Sequence, residues 1–371
     1  MVPRWYRIDA SVRPHTHRVS ADPLRYATGS DVPSVHWRPK GRSVAYCRLL
    51  FAPMATIRTH FDPIGPYELR LVAHGATDPT RRRRENVLEL AFEVDGVPSY
   101  GRVSQARRGR LEIELESVAP ESATARLRYL LAVDDDHTPF LRAFARDPLI
   151  GEATRRFQGM RPLRRASVYH ALLRALCGQL ITAREAKALE SRLIKRYCVP
   201  HGEFFLPPTQ STFAEVSVAA LGRLGLIARK ASTLIRLSRT VDLERLHDLS
   251  TSEAVAWLTR ERGLGPWPAG VICLEGLGRT EHGLVGDLSL VKFCTARLGR
   301  EATAADTARL LEAYGEWAGY AAHYLMASGV GGQSDLEVRR LRSERAKAGF
   351  RTLAAGEEPG KEPRPVSSRA P

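Results

Sequence analysis

The chain has 371 residues, a length that suggests roughly two domains at about 150 residues each. Its composition, 43% hydrophobic and 26% charged, is that of a globular protein with material for a core, and no run approaches the ~18 apolar residues of a membrane span. Lys and Arg outnumber Asp and Glu by 56 to 41, a formal charge of +15 that fits a polyanionic partner or, failing that, an Arg-rich proteome. The opening residues, MVPRWYRIDASVRPHTHRV, are basic but lack the apolar stretch of a secretory signal. Cys47, Cys177, Cys198, Cys273 and Cys294 are scattered with no CxxC spacing. That excludes a zinc ribbon, an iron–sulfur cluster and a disulfide scaffold, and fits reduced thiols in a cytoplasm.

Residues 1–44 carry Arg, His and Pro with little apolar periodicity and read as a flexible basic tail. Residues 45–135 read as an antiparallel β-domain. AYCRLLFAPM is an apolar run, and VLELAFEVDG and LEIELESV alternate with period two between turn signals such as Asp95-Gly96. The basic run Arg81 to Arg84 reads as a solvated loop. The consecutive Asp134, Asp135 and Asp136 could hold a metal, but a strand-to-helix junction favours helix capping by Asp136 or Thr138.

Residues 136–328 take helical periodicity. In VYHALLRALCGQLIT the apolar Leu172, Leu173, Leu176 and Leu180 share a stripe. Thr182 followed by Glu185 is a capping-box pattern, so a new helix starts near Ala183 and Gly178–Ile181 fall in or beside a break. Ser250 and Glu253 repeat the pattern ahead of EAVAWLTRER. Residues 329–371 end in EEPGKEPRPVSSRAP and read as a tail, with a short helix near Leu336–Lys347.

Two helical runs flank Gly263-Leu264-Gly265-Pro266-Trp267. A Gly-x-Gly hairpin lets backbone approach a phosphate and aims the next helix's free N–H groups at it, a contact that positions DNA without reading sequence. Alone, the same residues suit a helix C-cap and an ordinary turn. Asp287, in HGLVGDLSLVKF, suits the N-cap of a helix starting at Leu288.

Taken together these segments resemble the helix–hairpin–helix DNA glycosylase superfamily, and within it the DNA-3-methyladenine glycosylase II type. GLGPW is similar to that family's G-[IV]-G-x-W hairpin, and the step from position 263 to position 287, 24 residues, matches its hairpin-to-aspartate separation. DLSLVK resembles the motif after its catalytic aspartate, ALLRALCGQLIT its wedge segment, and GLIARKASTLIRLS its G-x-x-x-x-K-A helix start. DDDHTPFLRAF and PLIGEATRRFQGMRP resemble its junction from β-domain to helices. The likeness spans about residues 45–328. It implies an α+β fold: a small N-terminal antiparallel β-domain followed by an all-α helix–hairpin–helix glycosylase domain.

The resemblance also implies a mechanism. The enzyme flips a damaged nucleotide out of duplex DNA, with Leu180 as the wedge, Gln179 beside it, and Gly263, Leu264 and Gly265 on the DNA backbone. Trp267, Trp317 and Tyr320 form an aromatic pocket that attracts a cationic alkylated purine; otherwise Tyr314, Trp317, Tyr320 and Tyr324 are simply a core stripe. Asp287 is the catalytic carboxylate, stabilising oxocarbenium character and orienting water. Trp267 occupies the position where strand-cleaving members carry a Schiff-base lysine, which implies a monofunctional enzyme without lyase activity. No cofactor is required. A monovalent cation, Na+ or K+, on the backbone carbonyls of Thr259, Glu261 and Gly263 would accompany the hairpin. The partner is damaged duplex DNA, with no membrane, and the protein is a monomer in the cytoplasm, associated with the nucleoid. The sequence departs from the family at Pro268, Val271, Gly286 and Ala318. Two other readings stay open: a glycosylase for deaminated or oxidised bases, and a non-catalytic DNA-binding module with the same hairpin.

Overall fold

The computed structural model describes residues 55–106 and 109–328. The apolar run 45–54, the tail expected at 1–44 and the segment 329–371, with its expected helix at Leu336–Lys347, lie outside the described residues.

Six strands form one antiparallel sheet: β1 (Ala55–Phe61), β2 (Thr77–Asp78), β3 (Arg81–Arg84), β4 (Val87–Val94), β5 (Val97–Ser104) and β6 (Leu111–Ser117), in the order β1-β6-β5-β4-β3-β2. Period-two alternation builds it. Leu111, Ile113 and Leu115 are buried, while Glu112, Glu114 and Glu116 point away from the core. Asp95 (φ 52°) and Gly96 (φ 75°) supply the left-handed pair that closes the β4–β5 hairpin.

Two expectations for this region are corrected. Helix α1 (Pro120–Leu130) begins well before position 136: Pro120 opens it, and the spacing of Ala123, Leu127 and Leu130 lays one buried face on the sheet. Arg81 to Arg84 are not a loop but strand β3, paired with β4, and Arg81 is buried. Ion pairing explains it, since Arg81 Nε donates to Asp78 Oδ2 at 3.0 Å.

The helices that carry the site follow: α2 (Val168–Gly178), α3 (Ala183–Tyr197), α4 (Ala228–Thr240), α5 (Thr251–Arg260), α6 (Pro266–Val271), which continues as one π-helical turn (Ile272–Gly276), α7 (Leu288–Leu298) and α8 (Ala318–Ala327). Thr182 with Glu185 and Ser250 with Glu253 form reciprocal capping boxes at the starts of α3 and α5. The three consecutive aspartates diverge. Asp134 pairs with Arg128, Asp135 with Arg164 at 2.6 Å, and Asp136 accepts from the Thr138 backbone N–H at 2.9 Å. No helix among the described residues is long and apolar enough to cross a membrane.

Sheet and helices meet on buried arginines from one extended segment, 161–165. Arg161 is fully buried and donates to the carbonyls of Ala132 at 2.7 Å and Pro66 at 3.0 Å. Arg165 reaches further. Its Nη1 donates to Glu190 of α3 at 2.8 Å and to Asp78 of β2 at 3.2 Å, and lies 3.2 Å from His170 Nε2 of α2. Its Nε donates to Glu275 on the π turn at 2.9 Å. The ligand-type atoms of Asp78, His170 and Glu190 lie within 4.8 Å of one another, a spacing a metal could use. The cation there is the protein's own guanidinium.

Burial alone pushes the Glu275 carboxyl up, but the facing Arg165 and Arg174 charges more than reverse this and hold it at about 2; Asp78 and Glu190 are depressed by the same balance. Depressed folded-state carboxylates contribute stability that is complete above their unfolded values, about 4 to 4.5, and is lost as pH falls toward 2. Removing Arg165 leaves Glu190 and Glu275 without their main partner and Asp78 with Arg81 alone. Arg165→Met is expected to cost about 3–5 kcal/mol near neutral pH. The deficit should shrink as the carboxylates protonate below about pH 4.5. Urea unfolding at the two pH values measures both; a deficit independent of pH would sink the account.

Candidate active site

The site begins where α2 stops. Gly178 ends the helix, and the backbone then breaks over 179–182 before α3. Leu180 sits in this break with φ 59°, a left-handed conformation rare for a non-glycine residue. Its side chain is 79% exposed, so it leaves the stripe of Leu172, Leu173 and Leu176, which are all buried. A large apolar side chain held outward by an unfavourable backbone needs support. Lys230, at the start of α4, gives it by donating from Nζ to the Gln179 carbonyl at 2.6 Å. That bond explains the lysine in GLIARKA, whose purpose the sequence leaves unstated.

The hairpin lies beside this loop. Gly263 adopts φ 96°, and a Cβ there would collide with Thr233 of α4. Thr233 Oγ1 and Arg236 Nη2 both donate to the Arg262 carbonyl at 3.1 Å. Gln179 Nε2 donates to the Gly263 carbonyl at 3.1 Å, tying the 179–182 loop to the hairpin. The side chain of Leu264 turns into the core, and its N–H is spent on the Glu261 carbonyl at 2.9 Å. The hairpin surface is therefore made by its glycines, with Gly263 exposed and Gly265 half-buried. Of the carbonyls expected to hold a cation, those of Glu261 and Gly263 each already accept one hydrogen bond.

Asp287 caps α7 with one oxygen and uses the other elsewhere. Its Oδ1 accepts from the Ser289 N–H at 2.8 Å, and its Oδ2 accepts from Trp267 Nε1 at 2.9 Å. The indole that follows the hairpin therefore aims the carboxylate. Trp267 is placed from its other side by Gly178, where a Cβ would lie 2.7 Å from the ring and 2.6 Å from Arg174.

These groups line one cleft of about 940 Å³. Gln179, Leu180, Gly265, Trp267 and Asp287 share its wall. So do Arg174, Arg229 and Lys292, basic residues that the motif comparison passed over. Leu288, 51% exposed, is a second apolar side chain on the rim. Trp317 and Tyr320 are not in the lining. Tyr320 is buried and stacks on His137 at 5.5 Å and on Phe140 at 5.4 Å, and Trp317 packs against Phe140 and Tyr320 at about 6 Å. Trp317, just before α8, and Tyr320 within it keep the spacing of a core stripe, the alternative the sequence left open. Val271 and Ala318, where the sequence departs from the family, are buried as well.

No protein-family profile matches the chain. A DNA-3-methyladenine glycosylase from Bacillus subtilis is 23% identical over 204 residues, covering 52% of this chain and 67% of the relative. A probable bifunctional transcriptional activator/DNA repair enzyme AlkA from Mycobacterium tuberculosis is 27% identical over 213 residues, 55% of this chain and 42% of that protein. The chain thus spans two thirds of the first relative and less than half of the second. A 3-methyladenine DNA-glycosylase from Archaeoglobus fulgidus shares the fold, with TM-score 0.65 and 21% identity over 73% of this chain and 98% of that one. The hairpin and its bonded aspartate stand inside that fold. The relatives and the shared fold support a helix–hairpin–helix DNA glycosylase. Here the Trp267–Asp287 bond joins the residue after the hairpin to the aspartate 20 positions on.

Trp267→Phe keeps the ring and deletes the donor. A carboxylate that loses one of two orienting hydrogen bonds is expected to slow base release about tenfold. Affinity for duplex DNA should be unchanged. Single-turnover release and filter binding on the same preparations separate the two; equal losses in both would show that the indole acts on DNA binding.

Proposed function

We propose that the protein is a monofunctional DNA glycosylase that extrudes an N-alkylated purine nucleotide from duplex DNA and hydrolyses its glycosidic bond, as a first step of base excision repair. The observation that carries the reading is Asp287. It is held by Trp267 and Ser289 on the wall of a cleft whose rim bears the outward Leu180.

Leu180 fills the stack the base leaves, and the hairpin glycines with Arg229 and Lys292 face phosphates. As the bond from C1′ to the base nitrogen lengthens, the sugar gains positive charge. The Asp287 carboxylate stabilises that charge, orients the water whose oxygen bonds to C1′ and accepts the proton that water gives up. The purine leaves with the bonding electrons. An alkylated purine already carries positive charge, so no strong acid is needed at the leaving group. Both fixed hydrogen bonds hold the carboxylate in place before the sugar arrives, so little reorganisation accompanies the reaction.

The expected cation belongs to the same proposal. The Glu261 and Gly263 carbonyls each keep a second lone pair, and Thr259 supplies the third oxygen, so Na+ or K+ could brace the hairpin without taking part in the chemistry. The protein would work as a monomer on chromosomal DNA in the cytoplasm.

Purified protein is incubated with methylated duplex DNA, and free bases are separated by chromatography. Wild type is expected to release alkylated purines, and Asp287→Asn to release them about 100-fold or more slowly while binding DNA equally well. Binding without release would leave the hairpin as a DNA-binding module. Lysine chemistry is tested separately, because Lys292 lines the cleft although Trp267 occupies the lyase position. Borohydride should trap no protein–DNA adduct. An adduct that disappears in Lys292→Met would refute the monofunctional assignment.

A further inference from the structure

Five large apolar side chains are exposed among the described residues, and two of them, Leu180 and Leu288, line the cleft. Leu180 fills the vacated base stack in the glycosylase reading. Leu288 has no role there. It is the first residue of α7, whose buried face is carried by Leu290 and Cys294, and its side chain lies off that face. A single exposed leucine is ordinary on a protein surface. The place of this one is not, because it follows Asp287 directly.

The backbone around the carboxylate is held on both sides. The Gly286 N–H donates to Thr307 Oγ1 at 2.8 Å, and the Val291 N–H donates to the Asp287 carbonyl at 2.8 Å. With the carboxylate bound by Ser289 and Trp267, the Cα of Leu288 keeps a fixed place beside it. Val285, two residues before Asp287, lines the cleft as well, so the carboxylate has apolar neighbours on both sides along the chain. A carboxylate that steadies charge at C1′ must come close to that carbon, and it brings Leu288 to the same furanose ring. Besides the base, C1′ is bonded to O4′ and C2′. The growing positive charge is shared between C1′ and O4′, which is the side for the carboxylate. C2′ is the side for an apolar group. In deoxyribose C2′ carries only hydrogens. In ribose it carries a hydroxyl that donates and accepts, and a leucine offers that hydroxyl no partner.

We propose that Leu288 packs on the C2′ methylene of the extruded nucleotide, seats C1′ against Asp287, and makes the site specific for deoxyribose over ribose. The inference rests on the glycosylase reading and adds the sugar to what the cleft recognises. It also separates the two exposed leucines. Leu180 acts where the base leaves the stack, and Leu288 acts on the sugar once it has arrived.

The test uses DNA duplexes with one 7-methylguanine, carried on deoxyribose or on ribose. Each release rate is divided by the spontaneous rate of the same duplex, because a 2′-hydroxyl withdraws electrons and slows base loss without any protein. Wild type is expected to accelerate the deoxyribose lesion about tenfold more than the ribose lesion, the scale of burying a hydroxyl without a partner. Leu288→Ser shortens the side chain and supplies a hydroxyl, and is expected to close most of that gap. Leu180→Ala should slow both lesions alike and leave the gap as it is. Any loss of folded protein cancels from the ratio. A gap unchanged in Leu288→Ser overturns the proposal, since a stack-filling or merely structural side chain would slow both sugars alike. A gap that Leu180→Ala closes equally, or wild type accelerating both lesions equally, overturns it too. Wild type giving no acceleration on the deoxyribose lesion brings down the glycosylase reading itself, and this inference with it.

Discussion

The structure depends on one buried cation. Arg165 sits on an extended segment with no regular structure, yet its guanidinium joins the sheet through Asp78, α3 through Glu190 and the π turn through Glu275. A guanidinium in a low-dielectric interior is costly to desolvate and is tolerated only when carboxylates surround it at good geometry. That condition couples three elements, because displacing any of them strands a charge. The cleft is bounded by α2 and α3, and the cavity beside it by α2, α3 and the π turn, so their shape follows from the same requirement. Neighbouring Arg161 and Arg164 act likewise on backbone carbonyls and on Asp135, so a single stretch of chain sets the sheet against the helices.

The site itself is preorganised by hydrogen bonds across elements. The Gln179 side chain ties the 179–182 loop to the hairpin, Lys230 fixes the loop's backbone, and Trp267 fixes the Asp287 carboxylate. Leu180 could not keep a left-handed backbone and an exposed side chain without such bracing. The absence of a Cβ at Gly178 admits the indole and Arg174 together. The Leu180 loop, the hairpin and the Asp287 carboxylate are thus parts of one packed arrangement.

Much of this was legible in the chain. Alternation exposed strands β4 and β6, the capping boxes marked the starts of α3 and α5, and the hairpin-to-aspartate spacing marked the cleft. These signals are local, set by period, cap chemistry and turn residues. The errors share a cause. Arg81 to Arg84 looked like solvent-facing charge because a run of one sign hides strand pairing with β4 and because Arg81 also reaches the distant Arg164 carbonyl and Arg82 the distant Glu203, and α1 was hidden behind a strand-like neighbourhood. Tyr320 matched a pocket motif but faces the interior, because helical spacing fixes which residues share a face and not which face meets the cleft.

The sequence by itself determined the α+β character, the break after Gly178, the hairpin and the identity of Asp287, since each is written in residues close along the chain. Only the tertiary structure decided that Arg165 stands in for a metal among Asp78, His170 and Glu190, that Trp267 aims Asp287, and that Arg174 and Glu275 line one cavity. Those partners are separated by many residues, and nothing in local pattern reports the distance between groups that only packing brings together.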